Sequence, residues 1–494
     1  GVTEEPLSTR WLAEDRNANN ANTPEEAGNF ALAGAPAYSN NTTIDGLDNN
    51  DDRAARERFQ PPIEAVEEVQ VITTQFSAEY GRASGGRVNL RTQSGSTKYR
   101  GKLFYYFRDE ALNSNTFRNN SLGVPRLPLQ EHVGGFTFGG PVRLLKKKLN
   151  TVFFTAYEST RMLDSALIDT LLPVRTNPLF ALPSPTSLER TRIEDTNEPA
   201  LATDVAPYTS STSTPSKASS FTSRIDHQFS QSHNAAFVYQ RGRLTNLRGF
   251  GGGNRLAESL LGRRRDSDAV SISDNLVFSA AAVNQARFQY SRLAPAIRTQ
   301  NDAPVVLISL NDPLITGDPE RRTGTTVAGP STSGSTDRRE VRFQLQNILS
   351  TVSGNHSLKF GVDYHRVLSD FIDLSDATGT YNFASAGDFL ANIPSRFRQT
   401  FQTTSTQRNN YFGFFVQDEW QMLSQLLLSY GLRYERETIV RDLNNFGPRF
   451  SLAYNPLDSG KLVLRLGGGI FYNRPLLRTI DDRPCALIPR KLWE

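Results

Sequence analysis

The densest run of potential ligand atoms in the chain is Asp45-Gly46-Leu47-Asp48-Asn49-Asn50-Asp51-Asp52. Carboxylate and amide oxygens at this density are the ligand type that calcium takes. The order does not match an EF-hand loop, where glycine follows the third ligand position and a glutamate closes the site. Asx side chains folding back on their own backbone account for the run without a metal. The five histidines, His132, His227, His233, His356 and His365, form no HExxH pair and none stands close to Cys485. Each lies in or beside a strand candidate, where a polar face or a turn explains it. There is no G-x-S-x-G elbow for a serine nucleophile. The glycine-rich stretch 249–253 lacks the Lys-Ser/Thr of a phosphate loop. Gly81-Arg82-Ala83-Ser84-Gly85-Gly86 offers either a backbone anion nest or, more simply, a turn needing positive φ before a strand. These residues point away from covalent catalysis, from a resident metal and from a cofactor.

The elements that would position them are mostly strands. The first half of Ile63 to Ile72 fits one helical turn, Val69 to Thr73 a short strand, and Val88 to Thr92 another after the Gly85-Gly86 break. From Lys98 the period becomes two. Tyr99, Gly101, Leu103, Tyr105 and Phe107 share one face; Arg100, Lys102, Phe104, Tyr106 and Arg108 share the other. Similar candidates lie near 132–140, 150–159, 219–229, 234–243, 268–279, 282–292, 340–352, 356–368, 409–420, 425–436, 448–455 and 461–472. That predicts about thirteen strands. Ser230-Gln231-Ser232-His233 and Gly354-Asn355 join some of them tightly, while 161–217, 293–338 and 369–408 are long insertions. The hydroxyl-rich stretch 208–223 and Arg248 to Arg255 read as solvated loops. Short turns on one side and long loops on the other belong to a membrane barrel. Trp420 and the tyrosines near strand ends suit the interfacial girdles of such a barrel.

The bulk composition agrees. The chain has 494 residues and 37% hydrophobic content. No run approaches the roughly 20 apolar residues of a membrane helix. A barrel is compatible, because its strands turn only every second residue to lipid. Lys and Arg number 55 against 51 Asp and Glu, and the excess is spread out, so no nucleic-acid partner is expected. One cysteine precludes an intramolecular disulfide framework. The chain opens on Gly1 in mid-domain and closes on Glu494 without a strand pattern, which reads as a fragment of a longer protein.

Several motifs together resemble the TonB-dependent outer-membrane receptors, in particular the Oar-like branch. Thr43 to Asp51 is similar to a plug segment, and Gln75 to Asn89 to the end of the plug. Ser94 to Gly101 resembles the passage into the first barrel strand. Gly134-Gly135-Phe136-Thr137-Phe138-Gly139-Gly140-Pro141 with Phe153 to Glu158 resembles the next hairpin. Tyr411 to Glu435, Asn445 to Arg449 and Phe471-Tyr472-Asn473-Arg474 resemble later strands.

The resemblance implies a mostly β fold: a small α/β plug followed by an antiparallel transmembrane β-barrel, incomplete in this chain. The plug would end within 1–97, the partial barrel would fill 98–475, and 476–494 stays an unassigned tail. Family barrels have about 22 strands and a plugged lumen. The TonB box, the amino-terminal part of the plug, any carboxypeptidase-regulatory-like domain before it and the far strands would lie outside this chain. The implied function is energised uptake of a scarce or bulky solute across the outer membrane. Implied partners are the TonB complex, reached through the missing amino-terminal segment, outer-membrane lipid, and an extracellular siderophore, oligosaccharide or peptide. Plug residues Asp45, Gly46, Asp48, Asn49, Asn50, Tyr80, Gly81, Arg82, Gly85, Gly86 and Arg87 are expected to carry the plug motif and its polar contacts with the barrel wall. An adhesion or protein-export role on the same barrel is the alternative. A soluble β-sandwich that binds carbohydrate is the further one, and it would carry polar rows on both faces of its strands.

Overall fold

The computed structural model describes residues 2–4, 30–32, 34–73, 77–115, 117–121, 123, 125–126, 128–144, 147–174, 177–184, 205–248, 254–311, 323–330, 335–457 and 461–481. Its main feature is an antiparallel sheet of thirteen strands in which sequence neighbours pair in order. The strands run from Arg100–Asp109 at one edge, through Gln130–Leu144, Lys147–Leu163, Ser216–Ser230, His233–Arg248 and Leu261–Ser279. They continue as Ala282–Arg298, Thr336–Ser353, His356–Asp373, Thr403–Leu423, Leu426–Glu437 and Phe446–Tyr454 to Leu464–Gly469 at the other edge. The edge strands do not pair with each other, so the sheet is an open wall.

Alternation decides what each face meets. On successive strands Leu103, Phe138, Leu163, Ile225, Phe237, Ile272, Phe288, Leu345, Phe360, Phe414, Leu432, Phe450 and Leu466 are all exposed on the outer face. On the inner face of the same strands Thr222, Gln240, Gln289, Arg342, Gln344, His365, Gln417 and Arg433 are buried. Apolar residues facing outward around the whole sheet, with polar residues covered inside, are the inverse of a soluble sandwich. No helix is long and apolar enough to cross a membrane among the described residues, which says nothing about strands.

What covers the inner face is the amino-terminal unit. It is a four-stranded mixed sheet ordered Leu47–Asp48, Asn41–Ile44, Gly86–Thr92, Val66–Thr73. The Asn41–Ile44 strand runs parallel to Gly86–Thr92, with Thr42 opposite Val88. Ala65 packs on Phe154 and Ala156 of the wall, and Ala78 on Ile348 and Phe415.

The wall has two unlike rims. At one, residues 231–232, 280–281, 354–355 and 424–425 are two-residue links between adjacent strands. Gly354 has φ +56°, the conformation such tight hairpins ask for. At the other rim the long insertions are folded. Ser165–Pro173 pairs with Val205–Ser213 as a hairpin. A second four-stranded sheet is ordered Thr323–Ala328, Val305–Asn311, Thr380–Phe383, Arg396–Arg398. Leu171, Leu172, Leu256, Ile308, Phe383 and Phe389 form one apolar core between them. The 208–223 stretch is therefore not a solvated loop: it lies in the Val205–Ser213 and Ser216–Ser230 strands apart from the corner at Thr214 and Pro215. Its serines and threonines suit a strand, because their short side chains stay pleated while remaining polar. Residues 249–253 lie outside the described residues.

Candidate functional site

Asp45 has φ 51° and Gly46 φ 84°, which turns the Asn41–Ile44 strand back onto Leu47–Asp48. The Asp45 carboxylate accepts from the Thr92 N–H at 2.9 Å and from its hydroxyl at 2.7 Å, tying the turn to the next strand. The two asparagines that follow act as stand-in backbone. Asn49 exchanges two hydrogen bonds with the backbone of Phe59, and Asn50 does the same with Thr42. Asp48 accepts from the Asn50 N–H at 2.9 Å and Asp51 from the Arg53 N–H at 2.7 Å, both i to i+2 Asx bonds. No group of acidic or histidine side chains among the described residues is placed to hold a metal ion.

This folded loop presents Asp48, Asp51 and Asp52 to a row of wall cations, all buried. Arg338 grips Asp51 through two parallel bonds of 2.7 and 2.5 Å. Arg342, four residues on and so on the same face, donates to the Asn50 carbonyl at 2.8 Å and stands 3.3 Å from Asp52 and 3.5 Å from Asp48. Arg474 reaches Asp48 at 3.4 Å from the segment beyond the last strand. Glu340, between the two wall arginines, takes Arg58 of the plug.

The second half of the amino-terminal unit enters the same cluster through Arg82. Its guanidinium bonds Asp52 at 2.6 Å and Asp48 at 3.0 Å, and lies 3.4 Å from Glu437 of the wall. Its own N–H donates to Glu435 at 3.0 Å, and it lies over the Tyr411 ring at 4.9 Å. Arg82 Nη1 is 2.9 Å from His365 Nδ1. Arginine can only donate, so Nδ1 accepts, and Nε2–H is left to donate to Asp363 at 3.0 Å. Wall Arg433 then takes the Ala78 and Glu79 carbonyls at 3.2 and 3.0 Å, and Arg449 the Tyr80 carbonyl at 2.6 Å.

Arg58, Arg82, Arg338, Arg342 and Arg474 thus balance Asp48, Asp51, Asp52, Glu340 and Glu437 across the seam. Burial alone would raise the aspartates. Arg82 and Arg342 outweigh it at Asp52, which comes down to about 2. Arg474, Arg342 and Arg82 hold Asp48 well below the usual carboxylate range, and Arg338 does the same for Asp51. A buried cluster of this kind fixes position more than it adds stability, because desolvation offsets much of the attraction. Cutting one partner out leaves a buried charge behind.

The other expected residues divide. Gly81 lies against Arg433 and Glu435, where a Cβ would collide with both side chains. The positive φ of that turn belongs to Arg82, at 59°, and not to the glycines. Gly85 and Gly86 are there for close approach: a Cβ on Gly85 would stand 2.9 Å from Ala35 Cβ and Ser39 Oγ, and on Gly86 2.8 Å from the Ile72 carbonyl. Arg87 makes no ion pair with the wall among the described residues; it lies over the Tyr80 ring at 4.5 Å, within the plug. Asp45 pairs with wall Arg224 at 3.5 Å, away from the central cluster. Phe471 to Arg474 are not a strand, since the last one ends at Gly469. They turn inward, Asn473 accepting from the Ser84 N–H at 2.8 Å. Trp420 sits near the short-turn rim, stacked on His356 at 5.3 Å.

Comparison with known proteins agrees with this architecture. The profile of the outer membrane beta barrel domain family matches residues 91–178 and 175–444. The TonB-dependent transporter Oar of Myxococcus xanthus is 22% identical over 91% of the chain and 48% of its own length. The outer membrane transporter YddB of Escherichia coli superposes with a TM-score of 0.63 at 12% identity, covering 92% of this chain and 56% of that one. The ferric enterobactin receptor PfeA of Pseudomonas aeruginosa gives 0.56 at 14% identity, covering 97% and 62%. The chain spans about half the length of the curated relative it matches. The chain belongs to the outer membrane beta barrel domain family and, within it, is similar to the Oar-like TonB-dependent transporters.

Proposed function

We propose that the whole protein is a TonB-dependent outer-membrane transporter, in which this chain supplies plug and wall for energised uptake of a scarce or bulky solute. The observation that carries this is the buried charge seam between Asp48-Asp52 with Arg82 on the plug and Arg338, Arg342 and Arg474 on the wall. A wide barrel leaks unless a separate body fills it. A body held mainly by polar contacts can be released by work and can re-seat, because its parting surfaces are re-solvated rather than left as exposed apolar core. Oar and YddB are described as transporters, which supports the same reading.

The work would come from TonB acting on a segment ahead of Asn41. The solute would meet the folded insertions around Leu171, Ile308 and Phe389 first. Long loops face the outside in barrels of this class. A siderophore, an oligosaccharide or a peptide suits a cap of this size, and no covalent step is involved. The test is Arg82→Glu in the full-length protein, with cells scored for sensitivity to a large antibiotic that intact outer membranes exclude. The seam predicts leakage at unchanged protein level; unchanged exclusion refutes it.

A further inference from the structure

Beside the charge seam, between plug and wall, lies a polar cavity of about 400 Å³. Its plug side is the face of the Gly86–Thr92 strand that carries Arg87, Asn89 and Arg91, with the Asp45-Gly46 turn beside it. Its wall side is Asn275, Gln285, Arg287 and Gln346, from strands in the middle of the thirteen-stranded sheet and far from its open edges.

The charges around it do not cancel. Asp45 is engaged by Arg224 at 3.5 Å and Glu79 by Lys359 at 3.4 Å. Arg224 also holds Asp226, and Arg91 sits by Glu67 at 3.3 Å. That leaves Arg87 and Arg287, neither within ion-pair distance of a carboxylate among the described residues. Arg287 is held by neutral amides, donating to Gln346 at 2.8 Å and Gln285 at 3.1 Å. Arg87 rests on the Tyr80 ring, and its buried Nε has no hydrogen-bond partner. Burial pulls Arg87 below its ordinary value by more than Tyr80, Asp48, Asp363 and Glu79, all beyond ion-pair distance, raise it. Gly46 allows the wall guanidinium to lie against the plug: a Cβ there would be 3.2 Å from Arg287 Cζ.

We propose that this cavity is a binding site for one small oxyanion, a carboxylate or a phosphate, bridging Arg87 of the plug and Arg287 of the wall. Two half-buried guanidiniums facing one polar space gain more from an oxyanion than from water, because each can offer paired N–H donors to two oxygens. The volume suits a small ligand. Because one arginine belongs to each body, the anion ties plug to wall. The site would be filled by a free anion in the lumen or by an acidic group carried on a solute. Its existence does not depend on the transport reading.

The test uses the purified full-length protein in detergent at fixed ionic strength. Inorganic phosphate and, separately, citrate are titrated against a chloride control, with hydrogen exchange of the 41–92 amides and calorimetry as readouts. Saturable binding of phosphate, with added protection of the plug, supports the site for free anions. Binding of citrate alone supports it for carried carboxylates. Arg87→Gln and Arg287→Gln should each weaken binding about tenfold or more, one bidentate contact being worth that much. Arg287→Lys, which keeps the charge and loses the fork, should fall between. Removing an uncompensated charge should not lower plug protection when no anion is present; should one glutamine variant fail to fold, the other carries the comparison. Absence of saturable binding of either anion, or equal affinity in both glutamine variants and the wild type, overturns the proposal.

Discussion

Consider the pair Asp51–Arg338, which spans the seam and is closed to solvent at 2% and 3% exposure. Asp51→Asn keeps the carbonyl oxygen that accepts from Arg53 and Ala54, so the turn survives and only the charge is lost. Among the described residues Arg338 then keeps Glu340 at 3.8 Å, already shared with Arg58. Breaking a buried pair from one side costs about 3–5 kcal/mol. At about 1.4 kcal/mol per factor of ten, opening of the plug loop should rise roughly a hundred- to a few-thousandfold. Arg338→Met keeps the length of the stem and strands Asp51 instead, with a loss of the same order. The double variant removes both charges together. Glu340 keeps Arg58, so the double variant should recover to within about 1–2 kcal/mol of the wild type, since replacing a whole buried pair is close to neutral. The assay is hydrogen exchange of residues 47–58 in the full-length protein, read as opening free energies in a double-mutant cycle. Additive losses, or single losses below about 1 kcal/mol, would refute a desolvated, geometry-specific latch.

Gly431→Val should loosen the plug at one point. A Cβ at 431 would lie 2.8 Å from the Val416 carbonyl and 2.9 Å from Ala78 Cβ, and backbone cannot step aside. The expected cost is about 1–3 kcal/mol, seen as faster exchange around Ala78 with the barrel still heat-modifiable. Acid should release the latch late. Asp48, Asp51 and Asp52 sit below their unfolded values, so their contribution is complete above about pH 4. It falls away as the pH drops through the folded value of Asp52, about 2. The part of the plug's opening free energy that these three aspartates supply, corrected for intrinsic exchange, should therefore be level from neutral down to about pH 4 and fall below it; a fall starting near pH 6 would point to a histidine instead. Phe389→Ala should cost the cap about 3–5 kcal/mol, with protection lost across 165–173 and 305–311 and kept in the barrel strands.

The wall was legible because its information is local. Tyr99 to Arg108 follow a period of two and Tyr411 to Trp420 are rich in aromatics with no helical period, and each strand is visible without reference to any other. Half of the charge seam was legible for a related reason: Asp48, Asn50 and Arg82 sit in compact polar motifs that stand out from their surroundings. Their wall partners did not stand out. Arg338 and Arg342 are two among the chain's 55 basic residues, and Arg342 meets Asp48 and Asp52 across almost 300 residues. A signal existed. Arg338, Glu340 and Arg342 alternate with Val341 and Phe343, as Arg433, Glu435 and Glu437 alternate with Leu432 and Tyr434. Three charges at alternate places on one face of a strand point inward, where a plug can pair them, although Arg339 and Arg436 on the other face blur the pattern. His365 reads only as one more polar-face or turn histidine, because its role depends on a neighbour 283 residues away. The folded cap was hidden by composition. Its strands, such as Val305-Val306-Leu307-Ile308, are short and lie among polar residues, so the apolar runs meet only in three dimensions. The type of Gly85 and Gly86 suggests a need for positive φ, but crowding against Ser39 and Leu32 is the reason they are glycine.

The central claim is that residues 30–97 form a body that closes the barrel and is held there by charge. The direct measurement is conductance across a planar lipid bilayer, comparing the native full-length protein with a form lacking that segment. The account predicts a closed protein whose deletion form conducts as a wide, ohmic pore. Equal conductance in the two forms, whether both are open or both are shut, would contradict it.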